Sequence, residues 1–141
     1  LRQRSRPYLF SNSVPPMIIA ATRAVLAHPD LLAERRKSLA ENTSFFRKEM
    51  TALGFTIPES THPIVPVILG EASVARAMAD GLRTHDIFIV GFWYPVVPKG
   101  KARIRVQISA LHTKEQLERV IAACAAVGRE SRARTNASAP A

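Results

Sequence analysis

Two arginines and a glutamine on one predicted strand are the residues of this sequence best suited to bind a ligand. Between residues 102 and 109, Arg103, Arg105 and Gln107 alternate with apolar residues, so all three fall on one face of a strand. At about 3.3 Å per residue the two arginines lie about 7 Å apart. Each guanidinium fork can hold a carboxylate or a phosphate through two parallel hydrogen bonds. The pattern predicts an anion site, and its alternative is a solvent-facing strand with ordinary surface arginines.

A second candidate site is a run of hydroxyl and amide side chains, Ser11-Asn12-Ser13. The run precedes Pro15-Pro16, and prolines suit the first turn of a helix because the N–H groups that they lack would be unpaired there. Side chains of this kind, beside the free N–H groups of a helix start, can bind a phosphate. Simple capping of the helix by Ser13 is the alternative, and the residues alone leave both open.

Other kinds of active site lack the residues that they need. No Cys-x-x-Cys or His-x-His spacing occurs, so a metal site is not predicted. The glycines are isolated and no Gly-x-Ser-x-Gly motif is present, which excludes a glycine-rich phosphate loop and a hydrolase elbow. Cys124 falls on the apolar stripe of a predicted helix, so we interpret it as a core residue. The histidines, which we interpret as structural, are His28, His62, His85 and His112.

Length and charge narrow the class of protein further. The chain has 141 residues, 47% of them hydrophobic, which is enough for one packed domain. The net charge is +9, of which residues 1–10 carry +3 and residues 129–141 carry +2. Because more than half of the net charge lies in these two end segments and aromatic residues are few, a nucleic-acid-binding module is kept only as an alternative. A single cysteine also excludes an internal disulfide.

Helical patterns dominate the first part of the chain. Residues 17–26 are apolar and rich in alanine, which predicts a mostly buried helix. A second helix is predicted over residues 31–53, with Asp30 as its N-cap and Gly54 ending it in a left-handed conformation.

Three later segments have the composition of strands. Residues 63–69 are rich in β-branched residues, and Pro66 places this strand near a sheet edge. Residues 87–90 are continuously apolar, which predicts a strand buried on both faces. The third strand is the alternating segment over residues 102–109.

Two helices accompany these strands. One is predicted over residues 72–83, and the other begins at a capping box formed by Thr113 and Gln116 and ends near Gly128. The order is therefore helix, helix, strand, helix, strand, strand, helix. It implies an α+β fold in which long N-terminal helices precede a small sheet of about three strands covered by helices.

Two blocks of the sequence resemble the α-oxoamine synthases, and within them the glycine C-acetyltransferases. The blocks are residues 4–13, RSRPYLFSNS, and residues 91–110, GFWYPVVPKGKARIRVQISA, and the likeness covers about residues 1–128. These are pyridoxal 5'-phosphate (PLP) enzymes of fold type I. The resemblance implies an acyltransferase that interconverts 2-amino-3-oxobutyrate and CoA with glycine and acetyl-CoA, in threonine breakdown.

The resemblance also implies roles for individual residues. The second arginine of the family's Arg-x-Arg strand binds the substrate carboxylate, and it corresponds to Arg105, which leaves Arg103 a structural role. The family's Phe-Ser-Asn-Ser segment crosses the dimer to touch the PLP phosphate, and its matching residues are Ser11 and Asn12. The implied protein is a homodimer with shared active sites and no metal, nucleic-acid or membrane partner.

The family's catalytic lysine, which forms the Schiff base with PLP, has no counterpart here, and the resemblance places it upstream of Leu1. We therefore expect a C-terminal fragment that is inactive alone. In it, residues 1–13 would link to a missing large domain, residues 14–128 would form the small domain, and residues 129–141 would be a disordered tail. Other α-oxoamine synthases, which make aminooxononanoate, aminolevulinate or sphingoid bases, are the alternative. The family occurs in bacterial cytoplasm and in mitochondria, so the compartment stays open.

Overall fold

The part of the chain that the structure describes contains four helices and three strands in the predicted order. The computed structural model describes residue 4 and residues 14–137, with side chains as far as residue 129. The helices are α1 Pro16–Leu26, α2 Pro29–Ala52, α3 Ala72–Arg83 and α4 Lys114–Ala137, and the strands are β1 Ile64–Gly70, β2 Val90–Phe92 and β3 Ala102–Gln107. The α+β class is confirmed. The chain divides into two compact units, residues 1–35 and 36–141.

Helix α1 is exposed along its whole length, so the prediction of a mostly buried helix is wrong. It has a proline at its first position, as expected, but no buried residue. Met17 is 74% exposed and Leu26 is 65% exposed. An apolar, alanine-rich sequence favours a helix, but burial also requires a facing surface, and the described residues of its own unit supply none. None of the described helices has the length and apolar character needed to cross a bilayer.

Helix α2 begins two residues earlier than predicted, at Pro29, and ends within one residue of the predicted end. The carbonyl of His28 accepts the N–H of Leu32 at 3.1 Å, so Asp30 lies inside the first turn and is not the N-cap. The fixed φ of Pro29 suits the first helical position, which moves the start upstream.

The end of α2 is a Schellman motif. Gly54 has a φ of +83°. Its N–H donates to the carbonyl of Thr51 at 2.9 Å, and the N–H of Phe55 donates to the carbonyl of Met50 at 3.1 Å. The predicted left-handed ending is confirmed.

The three strands form an antiparallel sheet in the order β1-β3-β2. Strand β1 lies at an edge, as Pro66 predicts. Strand β2 starts only at Val90, and Phe88 before it is 77% exposed, so the prediction of a strand over residues 87–90 buried on both faces is wrong. An edge strand with one face on the core can be as continuously apolar as a central one, and the pattern does not separate them.

The core lies between one face of the sheet and three helices. Alternate residues of β1 and β3 point into it, and α2, α3 and α4 cover it. Its buried members are Phe46, Met50, Val65, Val67, Met78, Leu82, Ile89, Ile104, Val106, Ile108, Leu117, Ala123, Cys124 and Val127.

Helix α4 starts at the predicted capping box but runs further than predicted. The N–H of Thr113 donates to Gln116 Oε1 at 3.0 Å, and the N–H of Gln116 donates to Thr113 Oγ1 at 3.3 Å. The helix passes through Gly128 and continues to Ala137. A Cβ on Gly128 would lie 3.1 Å from the ring of Phe55, so this glycine serves close packing and does not end the helix. The division of the chain at residues 13 and 128 stays a prediction.

Candidate functional site

The face of the sheet opposite the core carries the predicted binding residues. Along β3, Ala102, Ile104 and Val106 are buried, whereas Arg105 and Gln107 are exposed. This is the alternation that the sequence predicts. Because β3 is the central strand, its outward side chains are flanked on both sides by the neighbouring strands. The sheet therefore presents its basic residues at the middle of a face, not at an edge.

The two arginines of β3 differ in the partners of their guanidinium groups. The Nε–H of Arg103 donates to the carbonyl of Lys101 at 3.1 Å, so this side chain holds the loop that leads into the strand. Arg105 makes no hydrogen bond or ion pair with any described residue; its guanidinium carbon lies 4.5 Å from the ring centroid of Phe92. The fork of Arg105 is thus available to an anion, and that of Arg103 is partly occupied.

A pocket of about 400 Å³ adjoins Arg105. Residues 87–90 and the end of β3 contribute to its wall, and most of its lining is apolar. The polar groups in its wall are Arg105, Gln107 and His112. Its apolar lining consists of Ile87, Phe88, Ile89, Val90, Phe92, Val106 and Val120. An apolar pocket with a few convergent polar groups is the usual form of a small-molecule site.

The loop that carries His112 is fixed by a small hydrogen-bond network. The side-chain amide of Asn42 donates to the carbonyls of Ser109 at 3.1 Å and His112 at 2.9 Å. The N–H of Ser109 donates to His112 Nδ1 at 3.2 Å. The same histidine also lines a second cavity of about 170 Å³. His112 therefore has the structural role that the sequence predicts and also lines both cavities.

None of the lysines, all of which lie in the described residues, lines the pocket beside Arg105. Lys37 pairs with Glu41 at 4.0 Å, and Lys114 pairs with Glu118 at 3.7 Å. Lys99 lies over the ring of Tyr94 at 5.3 Å. The described residues contain no cluster of His, Cys, Asp or Glu that could hold a metal ion. The chemistry that this site offers is the binding of an anion by a positive fork.

Sequence patterns found part of this site. Arg105 and Gln107 are found together on one face beside a pocket, whereas Ser11 and Asn12 lie outside the residues that the structure describes. The ring of Phe92 was missed, because the sequence pattern places the second strand at residues 87–90 and so leaves Phe92 outside it. The buried thiol of Cys124 takes no part, and burial raises its pKa to about 12.

Comparison with known proteins gives a consistent picture. The profile of the family described as aminotransferase class I and II matches residues 1–124. The chain is 52% identical over 132 residues to the mitochondrial 2-amino-3-ketobutyrate coenzyme A ligase of Mus musculus, covering 92% of this chain and 31% of that protein. It is 51% identical over 130 residues to the 2-amino-3-ketobutyrate coenzyme A ligase of Salmonella typhimurium, covering 92% and 33%.

More distant relatives share the fold. The 8-amino-7-oxononanoate synthase of Exiguobacterium sibiricum is 42% identical over 130 residues, covering 92% of this chain and 33% of that protein. A serine palmitoyltransferase from S. paucimobilis, solved with a bound adduct of PLP and myriocin, superposes with a TM-score of 0.80 at 28% identity, covering 94% and 34%. The chain thus spans about a third of the length of the curated relatives it matches.

Proposed function

Because this chain belongs to the aminotransferase class I and II family, we propose that it is the small-domain part of a PLP-dependent glycine C-acetyltransferase. The proposed reaction interconverts 2-amino-3-oxobutyrate and CoA with glycine and acetyl-CoA. The observation that carries the proposal is the free fork of Arg105 on the exposed face of the central strand, beside a pocket. The likeness to two 2-amino-3-ketobutyrate coenzyme A ligases supports the choice of substrate.

In the proposed reaction Arg105 holds the carboxylate of the amino-acid substrate. Two charge-assisted hydrogen bonds from one fork fix both the position and the plane of the carboxylate. With the carboxylate fixed, the substrate can rotate only about the bond that joins the carboxylate to Cα. The bond to be broken at Cα can then be held perpendicular to the cofactor ring. When bound, PLP supplies the electron sink for the carbanion at Cα.

The described residues fit the substrate part of such a site and not the cofactor part. No lysine lines the pocket, so none is placed to bond to the PLP aldehyde. Ser11 and Asn12, proposed to contact the PLP phosphate across a homodimer, lie outside the described residues. The role of this chain's described residues is therefore to bind and orient the substrate, and we expect the isolated chain to show no turnover. Acetyl-CoA-dependent condensation by the purified chain would contradict that expectation.

The test of the proposed function is the glycine KM of an Arg105→Ala variant in the full-length protein. Loss of two charge-assisted hydrogen bonds should raise the KM for glycine by about 100-fold and leave the KM for acetyl-CoA unchanged. Arg103→Ala is the matched control, since that side chain holds the carbonyl of Lys101. It should lower the melting temperature and leave the KM for glycine within about twofold. An unchanged glycine KM in Arg105→Ala would remove the proposed role.

A second candidate is another α-oxoamine synthase, and the likeness to an 8-amino-7-oxononanoate synthase favours it as the alternative. These enzymes differ in the acyl group that they transfer. Rates of the full-length protein with a series of acyl-CoA chain lengths separate the candidates. A preference for acetyl-CoA supports the glycine C-acetyltransferase, and a preference for a long or carboxylated chain supports the alternative.

A further inference from the structure

The contact between Arg105 and Phe92 is the closest approach of a cation to a ring among the described residues. The guanidinium carbon lies 4.5 Å from the centroid, whereas the other such distances are 5.2–5.6 Å. At this distance the planar guanidinium is attracted by the face of the ring. Arg105 has no other polar partner in the described residues, so this ring is the one group in the described chain that restrains its charged end.

Strand pairing places this ring where it is. Phe92 lies opposite Arg103 in the register of β2 and β3, and Val90 lies opposite Arg105. Phe92 is therefore a diagonal neighbour of Arg105 on the outward face, within reach of an aromatic side chain.

The residue before Phe92 fixes which way it points. A Cβ on Gly91 would lie 2.9 Å from the ring of Trp93 and 3.3 Å from the carbonyl oxygen of Ala75 on α3. This close approach presses the inner face of β2 against the helix. Because successive side chains of a strand point to opposite faces, Phe92 must then point outward, toward Arg105. The position of the ring is set by the backbone of β2 and by α3.

Contact with a ring leaves the binding chemistry of arginine intact. A guanidinium stacks through its face, which is weakly hydrated, while its N–H groups point outward in its own plane. A side chain already restrained by a ring loses less conformational freedom when it binds a carboxylate. Phe92 can therefore strengthen binding at Arg105 without touching the substrate carboxylate.

We propose that Phe92 is a positioning residue that holds the guanidinium of Arg105 ready for the substrate carboxylate. This inference rests on the proposed function, because it assigns to Phe92 an effect on the carboxylate that Arg105 would bind. It adds a residue to the site that neither the sequence pattern nor the likeness to relatives identifies.

The test measures steady-state kinetics of Phe92→Leu in the full-length protein. Loss of a cation–ring contact should raise the KM for glycine about 5- to 10-fold, with kcat and the KM for acetyl-CoA within about twofold. Phe92→Tyr keeps the ring and should restore the glycine KM. In an Arg105→Ala background, Phe92→Leu should have no further effect on the glycine KM, because its target is gone.

Phe45→Leu is the matched control for loss of packing. Phe45 is also half-buried, with Lys114 over its ring at 5.6 Å, but it lies on α2 and does not line the pocket. It should lower the melting temperature and leave the glycine KM unchanged. If Phe92→Leu fails to fold, Phe92→Met serves in its place.

The outcomes distinguish the two proposals. If Arg105→Ala raises the glycine KM and Phe92→Leu does not, the positioning role is wrong and the proposed function stands. If Phe92→Leu changes kcat and both KM values together, as a general loss of structure would, the positioning role is also wrong. If Arg105→Ala leaves the glycine KM unchanged, the carboxylate site and the role of Phe92 both fail.

Discussion

Replacing Gly81 by alanine tests how closely α3 packs on α4. Gly81 lies inside α3, and a Cβ at this position would be 2.6 Å from Val127 Cγ1 and 3.1 Å from Val127 Cγ2. Val127 is 4% exposed, so it has little room to move away. Its β-branched side chain also has few alternative rotamers in a helix. We expect the added methyl group to clash.

Two opposing effects set the size of the change. Alanine in a helix interior is more favourable than glycine by about 1 kcal/mol. Overpacking a well-filled contact costs about 1–3 kcal/mol. The free energy of unfolding should therefore fall by about 0–2 kcal/mol in Gly81→Ala, although helix propensity alone would raise it.

A double-mutant cycle separates the two effects. Val127→Ala alone should cost about 2 kcal/mol, because two buried methyl groups are lost and a cavity is left. In that background the methyl group of Gly81→Ala has space, and the substitution should now stabilise the chain by about 1 kcal/mol. The sign of its effect is thus reversed, with a coupling of about 1–3 kcal/mol.

Urea unfolding followed by circular dichroism of the four proteins measures this cycle. Gly128→Ala is the matched control. Its added Cβ would lie 3.1 Å from the ring of Phe55, a looser contact, so this substitution should lower the free energy of unfolding by less. Gly81→Ala should have different effects in the wild-type and the Val127→Ala backgrounds only if α3 and α4 pack closely. An equal stabilisation in both backgrounds would therefore contradict the close approach of the two helices.

Three further predictions concern single side chains. Asn42→Ala removes the hydrogen bonds to the carbonyls of Ser109 and His112, and should lower the free energy of unfolding by about 2 kcal/mol in urea denaturation. Asn42→Asp should cost more, because a carboxylate would then face two carbonyl oxygens. Gly54→Ala should cost about 1–2 kcal/mol through its φ of +83° alone, since no atom beyond its two chain neighbours lies within 4 Å of the added Cβ; an unchanged urea midpoint would contradict this. Burial raises the pKa of the Cys124 thiol to about 12, whereas the pKa in the unfolded chain is about 8.5. The stability that the buried neutral thiol contributes is therefore full below about pH 8.5 and is lost as the pH rises toward 12. The native thiol should react with iodoacetamide at least 100-fold more slowly than the thiol of the urea-unfolded chain, and equal rates would show that it is accessible.

The sequence determined those features that depend on a few neighbouring residues. Helix α3 has the predicted bounds, because its apolar spacing is unbroken and Gly70 ends the strand before its N-cap, Glu71. The capping box at Thr113 and the left-handed Gly54 are hydrogen-bond patterns that close within five residues. The alternation on β3 follows from the two-residue period of any strand, and it placed Arg105 on the outward face.

Only the tertiary structure decided which surfaces meet. The burial of α1 and of residues 87–90 was predicted from apolar composition, but composition does not say whether a second surface is present. The contact of Phe92 with Arg105 depends on the register between two strands joined by a loop, and no local pattern encodes that register. A sequence can therefore place an arginine on the outward face of a strand, whereas the state of its fork and the side chain that holds it in place appear only when the strands are paired.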